Sequence, residues 1–200
     1  IDVGDVAEII VTLNETAKGS VVVDGKYYGE INEGPAIISI SGLANGTHTF
    51  TVKYFGDEVF NEAETTVTVI VNKLQTVPQI NVESIQLGED AYIEVTLPDG
   101  ATGSVTVYID DNEGETYDLT DSSAYITVSD LTNGTHTVKV AYSGDDNYHG
   151  AESTESFNVI YDITIDGDSL YGEDSIIAIN LPDGAEGNVT VIIGDKTFNA

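Results

Sequence analysis

The chain has no cysteine and no arginine, and six lysines are its whole supply of permanent cations. Without cysteine no disulfide supplements the core and no thiol chemistry is available, although an extracellular prokaryotic protein need not use disulfides. Against the six lysines stand 35 acidic residues, for a formal net charge of −29. Such a surface repels nucleic-acid phosphate and anionic lipid while favouring hydration and divalent cations. No apolar run is long enough to span a bilayer as a helix, no leader or sorting tail is visible, and no stretch carries a helical period. Nucleic acid is therefore excluded as a partner, and so is direct membrane insertion of this segment. High net charge often signals disorder, but the regular alternation of β-branched residues argues for a folded β-protein.

What is present is a repeat. The stretch from Leu97 to Val107, reading Leu-Pro-Asp-Gly-Ala-Thr-Gly-Ser-Val-Thr-Val, returns from Leu181 to Val191 and, in a worn copy, from Leu13 to Val23, each 84 residues from the next. Each copy reads as the end of a strand, a tight turn and the start of the next strand. The expected division is residues 1–75, a repeat lacking its first strand; 76–161, a complete repeat; and 162–200, strands A to C of a third. Because the chain begins and ends inside repeats, it is expected to be an excerpt of a longer protein.

In the central unit, Gln79 to Leu87 is expected to form strand A. Ala91, Ile93, Val95 and Leu97 then alternate inward on strand B, and Val105, Val107 and Ile109 on strand C. Ala124, Ile126 and Val128 do so on strand E, His136, Val138, Val140 and Tyr142 on strand F, and Phe157 and Val159 on strand G. Seven short strands with period-two patterning and frequent turns predict an all-β fold: tandem immunoglobulin-like antiparallel β-sandwiches. In the first unit Asp24-Gly25 makes a tighter hairpin than the loop at Asp110 to Gly114, so the offset grows from 84 to 88 beyond it. The linkers, near Asn72 to Val77 and near Tyr161 and Asp162, are short and not Gly/Ser- or Pro-rich, which predicts units lying end to end with limited bending.

The Leu97 motif, Leu-Thr-Asn-Gly-Thr-His-Thr-Val from Leu131 and Tyr-Ser-Gly-Asp-Asp-Asn-Tyr from Tyr142 together resemble prokaryotic Ig-like repeats. These are arrayed in adhesin-like surface proteins of bacteria and methanogenic archaea. The resemblance covers essentially the whole chain and implies an extracellular, cell-surface location with a stalk or adhesin role. The first unit departs from it, with Asn14-Glu15 in place of Pro-Asp and Phe55 in place of Ser.

His48 and His136 each follow a Gly at the start of strand F. Ig-like sandwiches place a corner tyrosine in this region, its polar end bonded to nearby backbone, and a structural corner histidine is the simpler reading against a metal or catalytic one. His149 stands alone in a loop. Carboxylates gathered at the joints between units form a candidate calcium site, with Asp99, Asp145 and Asp146 at one joint and Asp162 and Asp183 at the next. Against this, no EF-hand spacing is present and Asp-Gly is ordinary turn chemistry, so the loops also read as solvated turns. No cofactor is required, and calcium is the one candidate.

Asn-x-Ser/Thr sequons at Asn14, Asn45, Asn133 and Asn188 are candidate N-glycosylation sites, although Asn-Gly at Asn45 and Asn133 is also wanted for the turn. Lys53 and Lys139 fall on outward parity, which argues against self-formed Lys–Asn cross-links. Nucleophile, base and phosphate-loop patterns do not converge anywhere, so an enzyme is not expected.

Three functional readings follow. In the first the chain is a non-catalytic stalk or spacer that projects an adhesive or sheath-forming region, each repeat contacting its neighbours. In the second the units themselves bind a glycan or protein on a partner cell, with outward Tyr92, Tyr108 and Tyr125 as a carbohydrate-stacking face; the competing role for these tyrosines is cross-strand support. The third is an extracellular filament completed by β-strand addition.

Overall fold

The structure, a computed structural model, describes residues 1–199 apart from 33, 111, 162–163, 169–175 and 182–186. The described residues form β-strands and no helix. The first group comprises β1 (Ala7–Val11), β2 (Gly19–Val23), β3 (Tyr27–Ile31), β4 (Ala36–Ile40), β5 (Gly46–Tyr54) and β6 (Ala63–Val71). The second comprises β7 (Gln79–Val82), β8 (Ile85–Gln86), β9 (Ala91–Thr96), β10 (Ser104–Ile109), β11 (Glu115–Asp118), β12 (Ser123–Val128), β13 (Gly134–Gly144) and β14 (His149–Ile160). Then follow β15 (Thr164–Asp168) paired with β16 (Ile176–Asn180), and β17 (Thr190–Ile193) paired with β18 (Lys196–Asn199).

Two sheets account for the second group. One has three strands in the order β12-β9-β7, the other five in the order β11-β10-β13-β14-β8. Alternation decides which residues meet between them. Ala91, Ile93 and Val95 of β9 and Ala124 and Ile126 of β12 join Val105, Val107, Val138, Val140, Tyr142, Phe157 and Val159 from the other sheet in one buried cluster. A separate cluster gathers Ala7, Ile9, Val21, Val23, Ile38, Ile40, Phe50, Val52 and Tyr54 between the β1–β4 pair and the β3-β2-β5-β6 sheet. Each core is of the size expected for two layers of short strands, and each is built from β-branched residues that fill a pleated face at low side-chain entropy cost.

Strand A departs from the sequence expectation. Instead of one strand from Gln79 to Leu87, β7 runs antiparallel to β9 in one sheet, and β8 runs parallel to β14 in the other. The crossing falls at Glu83-Ser84, where the Ser84 hydroxyl accepts from the Asn158 N–H at 3.1 Å. The chain passes from one layer to the other because Ile80 and Val82 must face the core from the first sheet, and Ile85 from the second.

The beginning of the chain differs from expectation in the same way. Asp2 bridges Asn72 in parallel, with Val3 N–H donating to Asn72 O and Asn72 N–H to Ile1 O, both at 2.9 Å. By repeat spacing this is the place that Gln86 and Ile160 hold in the second group.

The two cores share no buried side chain, so damage to one should leave the other standing. Ile93→Ala removes a fully buried side chain and should cost about 3 kcal/mol. Differential scanning calorimetry should then show one transition lowered and the other in place; a single shifted transition would mean that the two groups unfold together.

Candidate functional site: the clamped loop end

The Leu97 motif and the Tyr142 motif, 45 positions apart in sequence, meet at one end of the second group. Strand β13 carries Tyr142 inward beneath the turn of the Leu97 motif, and its hydroxyl donates to the Thr102 carbonyl at 2.9 Å. Three residues on, an Asp145 carboxylate oxygen accepts from the Thr102 N–H at 2.8 Å and the Thr102 hydroxyl at 3.1 Å. The other oxygen accepts from the N–H groups of Asn147 and Tyr148, at 2.8 and 2.7 Å. Tyr148 then donates its hydroxyl to the Asp99 carbonyl at 2.9 Å. One turn's backbone is therefore held at both its N–H and its C=O by the other turn.

The first group builds the same clamp from its worn copy. The Tyr54 hydroxyl donates to the Lys18 carbonyl, and Asp57 accepts from the N–H groups of Lys18, Val59 and Phe60. The clamp takes backbone groups from the held residue, so Lys18 and Thr102 serve equally well. Glycine is required beside it. Gly144 has φ +82°, and a Cβ there would lie 2.6 Å from the Gly150 nitrogen; Gly56 has φ +81° and the same crowding from Phe60 O at 2.7 Å.

Electrostatics follow from these contacts. Burial pushes the Asp145 carboxyl up, but the N–H groups of Thr102, Tyr148 and Asn147 and the Tyr142 hydroxyl outweigh it and hold the group at about 2. The N–H groups of Lys18, Phe60 and Val59 hold Asp57 at about 2 as well. Burial first, and the neighbouring Asp145 second, push Tyr142 up to about 12.

The linker docks on this end. Leu74 lies in parallel beside Tyr148, donating its N–H to Asn147 O at 2.8 Å and accepting from the His149 N–H at 2.9 Å. The Lys73 ammonium donates to the Asp145 carbonyl. Of the acidic residues singled out from sequence, Asp145 is thus engaged with amides, Asp146 is exposed beside it, and Asp99 is exposed and contributes its carbonyl. Asp162 and Asp183 lie outside the described residues. Among the described residues no group of three or more His, Cys, Asp or Glu side chains is placed to hold a metal ion.

The corner histidines differ. Each donates from Nε2 to the carbonyl four residues upstream at 2.7 Å, His48 to Ala44 and His136 to Thr132. His136 has in addition Nδ1 at 2.6 Å from an Asp110 carboxylate oxygen, with its side chain 7% exposed. Both ring nitrogens of His136 face acceptors, so the geometry asks for the doubly protonated ring. The Thr132 carbonyl and then the Asp110 carboxylate raise His136 above its ordinary 6.5 against burial. Burial works to raise Asp110, and the Thr137 N–H and His136 overcome it, lowering the group below 3.8. Asp110 reaches His136 because the longer β10–β11 loop places it opposite Thr137; in the first group the tighter turn puts Asp24 opposite Thr51, two positions further from the histidine.

The four sequon asparagines are all exposed, and Asn14 accepts from the Thr16 N–H at 3.2 Å. The three outward tyrosines do not share a face. Tyr92 and Tyr125 stand on the outer side of the β12-β9-β7 sheet, whereas Tyr108 belongs to β10 in the other sheet, beneath the Lys139 ammonium. Parity separates inward from outward but does not say which of two sheets a strand joins.

Residues 79–160 match the model of the bacterial Ig-like domain, group 3. The central unit is thus an Ig-like domain by its match and its two-sheet fold. Among solved structures, the chain is similar to the fibronectin(III)-like modules of Clostridium thermocellum CbhA, at 14% identity and TM-score 0.34, over 79% of this chain and 87% of that one. It is also similar to Bacteroides ovatus SGBP-B, from a mixed-linkage glucan utilization locus and solved with a mixed-linkage heptasaccharide. There the identity is 15% and the TM-score 0.25, over 92% of this chain and 48% of that one. No curated protein matches the sequence. No helix among the described residues is long and apolar enough to cross a membrane.

Three outcomes are expected of this Ig-like domain. Asp145→Ala leaves the Thr102, Asn147 and Tyr148 amides without their acceptor and should cost about 2 kcal/mol in a denaturant titration. In the intact protein the lowered Asp145 contributes stability above pH 3.8 that is lost as the pH falls through about 2. The His136–Asp110 pair has the other window. Raised His136 contributes fully below pH 6.5 and is lost as the pH rises through its folded value, while lowered Asp110 contributes above pH 3.8. Melting of the domain should therefore be higher at pH 5.5 than at pH 8.5, and His136→Gln should remove that difference.

Proposed function

We propose that this chain is a non-catalytic structural segment, a stiff spacer within an extracellular cell-surface protein. The observation that carries the reading is the seat of the linker: Leu74 is bonded through both N–H and C=O to the β13–β14 turn, with Lys73 beside it. A linker pinned by this bridge and by Lys73 against a fixed turn loses freedom, and a chain of such joints projects whatever it carries. The match to a bacterial Ig-like domain supports a surface location, and so does the strongly acidic composition, which keeps neighbouring strings hydrated and apart.

The same joint needs no bound metal in this reading, because the Lys73 ammonium already brings a positive charge against the Asp145 turn. Sequence-derived calcium ligands at the joint then serve as turn residues and as hydrated surface.

Small-angle scattering of the 200-residue chain tests the proposal. An extended particle with a narrow distance distribution is expected, unchanged by a calcium chelator, and Leu74→Pro, which deletes the donating N–H, should broaden it. A wild-type profile as broad as that of the variant would overturn the spacer reading, and stiffening on added calcium would restore the metal-bridged joint.

A further inference from the structure

Most tyrosines among the described residues are occupied. Tyr54, Tyr142 and Tyr148 donate to loop carbonyls, Tyr28 to Gly25 O, and Tyr117 to Glu115. Three further rings lie beneath lysines: Lys26 is 5.0 Å from the Tyr27 centroid, Lys53 5.5 Å from Phe55, and Lys139 5.7 Å from Tyr108. Half of the chain's six lysines thus sit over rings. Tyr92 and Tyr125 are different. Each is 72% exposed, and neither has a hydrogen bond or a cation over its ring.

Their placement is regular. Tyr125 stands opposite Glu94 and Tyr92 opposite Thr127 on paired strands, while Asn81 of β7 stands opposite Glu94. All therefore point to one side of the three-stranded sheet, with the two rings on a diagonal. Glu83 follows β7 directly, and a concavity of about 840 Å³ runs over Asn81, Glu83, Glu94, Tyr92, Tyr125 and Thr127. Rings alternate with carboxylates, and no lysine lines the hollow. In the first group the equivalent face carries Glu8, Ile10, Ile37 and Ser39, with Ile10 directly opposite Ile37, so the first group does not repeat the arrangement.

We infer that this outer face is a docking site for a lysine-bearing segment of a partner protein. A ring quadrupole attracts an ammonium to its face, and a neighbouring carboxylate completes the pairing; the molecule uses the same chemistry at Lys139, which lies over Tyr108 and pairs with Glu152 at 3.0 Å. At Tyr92 and Tyr125 the rings and the acids are present and the cation is missing, which makes the face complementary to a basic strand or loop. An anionic ligand is repelled, and a neutral one can donate hydrogen bonds to the carboxylates but leaves their charge uncompensated, which a lysine ammonium neutralises. The inference does not depend on the spacer role, since a spacer can carry a lateral contact.

The test uses the 200-residue chain and the acetylated, amidated peptide Gly-Lys-Gly-Lys-Gly, followed by amide chemical shifts. Shifts centred on Tyr92, Glu94, Tyr125 and Thr127 are expected, and the same peptide with acetylated lysine side chains should give none. Tyr92→Ala combined with Tyr125→Ala should weaken binding about tenfold, Glu94→Gln less, and Tyr28→Ala, at an equally exposed ring, not at all. Thermal melts of the variants confirm that they fold. Equal affinity in the double tyrosine variant would reduce the effect to diffuse attraction by an acidic surface and overturn the site. So would shifts at the same amides from a neutral hexasaccharide with none from the peptide.

Discussion

The architecture of the clamped end depends on a carboxylate that faces backbone amides. Asp145 gathers N–H groups from two turns that are far apart in sequence, and Tyr142 takes the carbonyl of the same Thr102. A charged acceptor makes stronger hydrogen bonds than a neutral one, and bonds to backbone leave the partner side chain free to vary. That explains how the first group keeps the clamp at Tyr54 and Asp57 after its Leu13 copy has lost Pro, Asp and Thr. The turn sequence drifts, and the atoms that the clamp uses remain.

The same geometry links packing to the joint. Clamping fixes the β13–β14 turn, and the fixed turn offers Asn147 O and the His149 N–H as a short edge on which Leu74 is laid. Order inside the domain is thereby passed to the linker that precedes it. A loose turn would present no register for Leu74 to find, since a single parallel bridge has little strength of its own. The acidic residues that gather here are accordingly split between those that build the turn, such as Asp145, and those that face water, such as Asp99 and Asp146.

Much of the fold was legible in the residues because the inward alternation of β9, β10, β12 and β13 is nearly unbroken. The Leu97 motif reads correctly as strand, turn and strand, with Leu97, Val105 and Val107 in the core. The change of sheet within strand A was not legible, because Ile80, Val82 and Ile85 are all apolar and parity carries no label for the layer. Tyr108 was grouped with Tyr92 and Tyr125 for the same reason. The contact between Asp145 and Thr102 is long-range and involves backbone on one side, so no side-chain pattern announces it. The one available signal was the recurrence of a Tyr-x-Gly-Asp sequence, at Tyr54 and Tyr142, with the first two copies of the turn. The His136–Asp110 pair depends on β10 running two residues further along β13 than β2 runs along β5, at an unchanged register, which the growth of the repeat offset at the β10–β11 loop already implied.

One consequence concerns tension. In the central domain the first strand segment in the second sheet, β8, lies parallel to the last strand, β14, through Ile85–Val159 and Gln86–Ile160, and Asp2 and Asn72 repeat the arrangement ahead of β1. Parallel neighbours at the two ends of a domain are drawn past one another when its termini are pulled apart. Their hydrogen bonds are then strained together in shear, instead of opening one by one as in an unzipping hairpin. A domain built this way resists extension through its terminal strands, and the clamped turn that holds Leu74 and Lys73 bears the pull arriving through the linker.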